Sequence, residues 1–160
     1  MQNIKFRTES DLLGSREVPE DALYGIQTER AIENFYISGQ LMSSYPNFIK
    51  GMAITKKAAA MANVKVGMIT PEQGEAIIWA CDQLLAGRYH NHFPIDMIQG
   101  GAGTSTNMCA NEVIANLALE RMGHHRGEYQ YCSPNDVVNA SQSTNDAYPT
   151  AFRYTFFRMN

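Results

Sequence analysis

Charge is scarce in this 160-residue chain: Asp, Glu, Lys and Arg together make up 18% of it, against about 25% in an average soluble chain. The shortfall implies much buried surface, more than one isolated domain needs. Thirteen Lys plus Arg against sixteen Asp plus Glu leave a net charge of −3, so a broad basic footprint for nucleic acid is not expected. No apolar run approaches the roughly 18 residues of a spanning helix, and mean hydropathy is −0.31, which argues against a membrane partner. Met1–Ser10 is polar and lacks the apolar stretch of a secretory leader. Cysteine is scarce: Cys81, Cys109 and Cys132 are odd in number and far apart, the pattern of reduced thiols in a cytoplasmic protein rather than a disulfide framework. There is no repeat, no low-complexity stretch and no Ser/Gly linker.

The residues present read as a mainly α domain. Apart from a short strand possible around Ile4–Thr8, the first twenty residues look irregular. Asp21–Phe35 opens on an acidic cap and carries Ile26, Arg30, Ile32 and Phe35 at near-helical spacing. Asn47–Val66 predicts a helix capped by Asn47, with Phe48, Met52, Ile54, Ala58, Met61 and Ala62 as its buried stripe and Lys56-Lys57 on its solvated face. Thr70, Pro71 and Gln73 form a capping-box start and Gly87 a stop, with Ile77, Ile78, Cys81, Leu84 and Leu85 between them and Trp79 read as core. A further helix is expected from about Ser105 to Met122. Ser133-Pro134-Asn135-Asp136 repeats the start signal, and a last helix begins near Asp146. It carries Ala151, Tyr154, Phe156, Phe157 and Met159, and at Asn160 it runs out mid-pattern, which predicts a piece of a longer chain with an uncovered apolar stripe.

Two segments carry chemistry. Gly100–Val113 (GGAGTSTNMCANEV) places a glycine turn before a helix, whose first amides and dipole favour an anion. Thr104, Ser105 and Thr106 add hydroxyls at that mouth, and Asn107 and Asn111 lie four apart on one helix face, as if lining a cavity. The segment lacks the Gly-Lys-Ser/Thr of a phosphate loop and the third glycine of a dinucleotide fingerprint. Ser133–Thr150 (SPNDVVNASQSTNDAYPT) is polar from Asn139 to Asp146 except at Ala140, contains no cation, and is flanked by apolar Val137, Val138, Tyr148, Pro149 and Phe152. Hydroxyls and amides aimed beforehand at a carboxylate bind it with little reorganisation, and more strongly as its charge grows. A glycine turn with Thr/Ser caps and a capping loop between helices account for the same residues without any ligand. His90-x-His92 and His124-His125 have no Cys or carboxylate at ligand spacing, so no metal is expected. A G-x-S-x-G nucleophile is absent.

GGAGTSTNMCANEV and PNDVVNASQSTNDAYPT resemble the first two signature regions of the aspartase/fumarase superfamily. DLLGSREVPEDALYGIQTERAIENFYISG, FIKGMAITKKAAAMAN and FPIDMIQGGAGTS extend the resemblance over essentially the whole chain. The aspartase branch fits better: fumarases usually have Trp-Gly where this chain has Tyr24-Gly25, and His where it has Ser133. Cys109 stands where the family commonly has Asn and is taken as a tolerated small residue.

The resemblance implies an N-terminal lyase domain over 1–140 and the start of a central helical domain over 141–160. It implies anti elimination of ammonia from L-aspartate to give fumarate, through an aci-carboxylate dianion and without metal or organic cofactor. Thr104, Ser143 and Thr144 would bind the β-carboxylate and Asn145 the amino or α-carboxylate end, and Ser105, Thr106 and Asn107 are expected to bind substrate with them. The family's general base and a substrate-binding His lie further along, so no catalytic residue is assigned here and the 160 residues alone are expected to be inactive. Members are homotetramers whose sites draw on three subunits. A fumarase-type hydratase and a non-catalytic anion-binding helical domain remain the alternatives.

Overall fold

The computed structural model describes residues 5–159, and the side chains of residues 5–157. Ile4 of the expected strand, and Asn160 and the Met159 side chain of the expected last helix, lie outside that set. Two strands, β1 (Phe6–Asp11) and β2 (Gly14–Pro19), pair antiparallel. Five helices follow: α1 (Ile26–Asn34), α2 (Pro46–Lys65), α3 (Pro71–Leu85), α4 (Thr104–Arg121) and α5 (Thr144–Met159). One turn of π-type helix, Pro134–Val138, precedes α5. The mainly α architecture is as expected. The strand expected near Ile4–Thr8 proves to be one arm of a hairpin, closed by Leu12 and Leu13.

α4 is the axis of the core. Val113, Ile114, Leu117 and Leu119 have no exposed surface, and α1 and α3 pack on it while α2 packs on α3 and α5. A helix buried on nearly every side needs few charges, which is the physical content of the low charged fraction. Ile77, Leu84, Phe93 and Ile95 complete the centre.

The ends of the helices divide by where their caps come from. Thr70 accepts from the Gln73 amide while the Gln73 side chain accepts from Thr70 N, so the capping box predicted for α3 is present. Ser133 likewise accepts from Asp136 N. α1 differs from expectation. Its N-cap is Gly25, not Asp21, and its amides are satisfied from elsewhere in the fold: Gly25, Gln27 and Thr28 donate to Glu112 of α4, and Ile26 to Glu9 of β1. A remote carboxyl group, that of Glu112, replaces the local cap by accepting from these amides, while burial raises its pKa to about 7.

The buried face of α2 follows the expected one only in part, with Phe48 and Met52 buried as expected. Ile49, Met52, Ala53, Lys56, Ala60 and Asn63 face inward, whereas Ala58, Met61 and Ala62 are exposed. Both stripes have helical spacing. The observed one contains a lysine and an asparagine, which a hydrophobicity pattern passes over. Trp79 is only half-buried, with the Arg121 guanidinium 5.6 Å over its ring. At the other end of the chain, Ala151 is buried while Phe156 and Phe157 are exposed.

Candidate anion site at the starts of α4 and α5

Gly103 is the N-cap of α4, with φ +84. That left-handed conformation suits glycine, and a Cβ there would collide with the Tyr148 ring of α5. The residue therefore turns the chain into α4 and also lets α5 approach it. Since glycine has no side chain to cap with, Gln99 reaches across instead. Its Oε1 accepts from Thr106 N at 2.8 Å and its Nε2 donates to Thr106 Oγ1 at 2.9 Å. Asp96 holds the approach to this turn. It accepts from Ile37, Ser38, Gly39 and Ile98 amides and from the Ser38 hydroxyl. These donors, the Ser38 hydroxyl first, keep its carboxyl well below the usual carboxylate range.

The hydroxyls of the GTST run are thus not equivalent. Thr104 is exposed, Ser105 half-buried, and Thr106 fully buried and engaged with Gln99. Asn107 is 1% exposed and joins the two signature segments: its Nδ2 donates to Asn139 Oδ1 at 3.1 Å and to Thr144 Oγ1 at 3.2 Å. Asn107 Oδ1 has no partner among the described residues, and neither has that of Asn111, which is sealed in the core. The cavity edge expected from Asn107 and Asn111 is therefore not an open one.

The second segment begins as a tight turn. Ser141 takes φ +57, Gln142 N donates to Asn139 O, and Asn139 Nδ2 donates to Gln142 O at 3.0 Å. Gln142 Nε2 donates to the carbonyls of Val138 and Ala140, and Asn63 of α2 donates to that of Ala140. Directly after this stapled turn stand Ser143, Thr144 and Asn145. Ser143 and Asn145 are exposed and Thr144 is half-buried. Ser143 precedes α5, and its Oγ accepts from Asn145 N at 3.2 Å, so it is also the helix cap. Neutral donors from two helix starts meet at one edge of the molecule, where both dipoles present their positive ends.

A lysine lies under that edge, where the segment itself has none. Lys56, taken from its sequence as solvated, has no exposed surface, and its Nζ donates to Asn139 Oδ1 at 2.9 Å and Gln142 Oε1 at 3.0 Å. Burial lowers its pKa to about 7. The legible signal was its place in register with Ile49, Met52, Ala53, Ala60 and Asn63.

Three of the four histidines are used elsewhere. His90 Nε2 contacts Leu84 O, His92 Nδ1 accepts from Leu23 N, and His124 stacks on Tyr131 at 3.8 Å between ring centroids. No trio of His, Cys, Asp or Glu converges among the described residues, nor is any described helix long and apolar enough to cross a membrane.

A family model described as lyase matches residues 14–159. Aspartate ammonia-lyases from Helicobacter pylori and Escherichia coli are 58% and 59% identical over 151 and 152 residues, which is 94% of this chain and 32% of theirs. That of Pseudomonas canavaninivorans is 61% identical over 148 residues, 92% of this chain and 31% of its own. The chain thus spans about a third of the length of these curated relatives. Among solved structures, the fumarate lyase:delta crystallin of Brucella melitensis superposes with a TM-score of 0.95 at 50% identity, over 96% of this chain and 34% of that one. The class II fumarase of Schistosoma mansoni superposes at 0.88 with 36% identity, over 94% and 32%.

Proposed function

The chain belongs to the lyase family whose model spans its residues 14–159, and from that premise we propose that it supplies the carboxylate-binding part of an enzyme that eliminates ammonia from L-aspartate. Support for the substrate comes from the aspartate ammonia-lyases at 58–61% identity. The observation that carries the site assignment is the Asn107 amide, which ties Asn139 and Thr144 to the start of α4 and so sets two groups of neutral donors side by side.

Removal of the Cβ proton drives a second negative charge onto the β-carboxylate. The C–N bond then breaks, its electron pair leaving with the ammonia as the Cα–Cβ double bond of fumarate forms. Donors preset around that carboxylate bind the dianion more tightly than the ground state, which lowers the barrier. Thr104, Ser143 and Thr144 are the β-carboxylate donors in this reading, and exposed Asn145 meets the amino or α-carboxylate end. Ser105 lies at the mouth, while Thr106 and Asn107 brace the donors from behind.

Proton abstraction needs a base within hydrogen-bond reach, and Lys56, the basic group that touches the donor turn, is sealed below it. In this reading, which follows the resemblance to the aspartase/fumarase superfamily, the base comes from outside these 160 residues, as does the rest of a site shared between subunits of a homotetramer. The test is an assay of the protein at the length of its relatives with L-aspartate. Equimolar fumarate and ammonium are expected. Interconversion of fumarate and L-malate without ammonium release would replace this reading with the hydratase one.

A further inference from the structure

We infer that Lys56 is a positioning residue of this site, its buried ammonium fixing from below the Asn139–Gln142 turn that sets the Ser143, Thr144 and Asn145 donors. This rests on the dicarboxylate reading above and adds a residue to it.

The geometry is a relay. Lys56 Nζ draws both amide oxygens, Asn139 Oδ1 and Gln142 Oε1, to itself. That choice leaves both NH2 ends facing backbone carbonyls, of Gln142 from Asn139 and of Val138 and Ala140 from Gln142. The same Asn139 oxygen accepts from Asn107, which also donates to Thr144 Oγ1. Lys56 is thus two side chains removed from a proposed donor hydroxyl. Without the ammonium, both amides would lose the donor that orients them and could rotate, loosening the turn just before Ser143.

A lysine is a costly way to brace a turn. A buried ammonium without a carboxylate loses hydration and gains no ion pair. Of the elements packed on α2, α3 brings up the Cys81 thiol, which burial keeps neutral, and Asp82, which pairs with Lys57. Asn107 of α4 is an amide, and Asp136, Asp146 and Arg153 on the last two elements are exposed. Among the described residues no carboxylate forms an ion pair with Lys56. Its field is left for an anion at the donor edge, and a bound dicarboxylate supplies the missing counter-charge. By linkage, binding must then raise the proton affinity of Lys56.

The experiment uses the protein at the length of its relatives, with Lys56→Met as the neutral variant of similar length and succinate as an unreactive dicarboxylate probe. Wild type is first assayed with L-aspartate and titrated with succinate. If it neither forms fumarate nor binds succinate, the function proposed above fails; if it does either, only the role of Lys56 is under test. For Lys56→Met the expected result is a retained melting temperature with kcat/KM lower by about 10- to 100-fold, chiefly in kcat, because the donors act on the dianion. A folded variant within twofold of wild type overturns the proposal. Should the variant not fold, calorimetry of succinate binding to wild type at pH 7.5, in two buffers of different ionisation enthalpy, decides. Net proton uptake is expected, and none overturns it.

Discussion

Ser143 has two duties at the scale of a single residue. Its hydroxyl caps α5 through Asn145 N and in the proposed site also faces the substrate carboxylate. Ser143→Ala is expected to cost about 1 kcal/mol of stability as a lost cap and about 10²–10³ in turnover as a lost oxyanion-type donor. Thr104 separates the two effects, being exposed at the first position of α4 and capping nothing. Thr104→Val should lower turnover similarly while leaving the melting temperature nearly unchanged. Paired thermal melts and kinetics on the two variants check this; equal stability losses would count against the dual role of Ser143. The sequence pointed to both residues through the family motif. It left the cap open as the alternative, because a hydroxyl three residues before an aspartate suits either duty.

Between elements, Gly51 is one of the places where α5 comes against α2. A Cβ there would sit 2.5 Å from both Ala151 O and Thr155 Oγ1. The threonine can turn away, but the helix backbone carbonyl cannot, so Gly51→Ala must push the two helices apart. A loss of about 1–3 kcal/mol is expected, the usual range for overpacking, read as a lower denaturant midpoint. Because α5 begins at the donor residues, a drop in substrate affinity should accompany it. Unchanged stability would mean that the helices separate without cost. The helix spans were largely legible from periodicity and glycine stops, and α3 matched its capping box, but the N-cap of α2 is Tyr45, with Pro46 and the expected cap Asn47 inside the helix. Nor did α1 match its expected cap, since the Glu112 carboxyl group that caps it lies 87 residues from Gly25, a distance no local pattern spans.

For the molecule as a whole, acid stability should turn on Asp96. Five donors hold its carboxyl below its ordinary range, the Ser38 hydroxyl foremost. A carboxylate with a depressed folded-state pKa stabilises fully above its unfolded value of about 3.9 and loses that contribution as pH falls below it. Melting temperatures of wild type and Asp96→Asn, measured from pH 2 to 7, are expected to differ most above pH 5 and to converge toward pH 2. A constant gap would show that Asp96 acts through shape and not through charge.

Helical content, the two donor motifs and family membership were determined by the sequence alone, because propensity, capping and motif spacing are properties of neighbouring residues. Which face of α2 turns inward was decided only by tertiary structure. Two helical stripes were available, and the one that won includes Lys56 and Asn63 because the Asn139–Gln142 turn, more than 75 residues away, offers their polar ends hydrogen-bond partners. The same cause converted a seemingly cation-free donor segment into one with a buried ammonium beneath it. Burial of a charge depends on partners that the fold brings together from afar, and no local spacing encodes them.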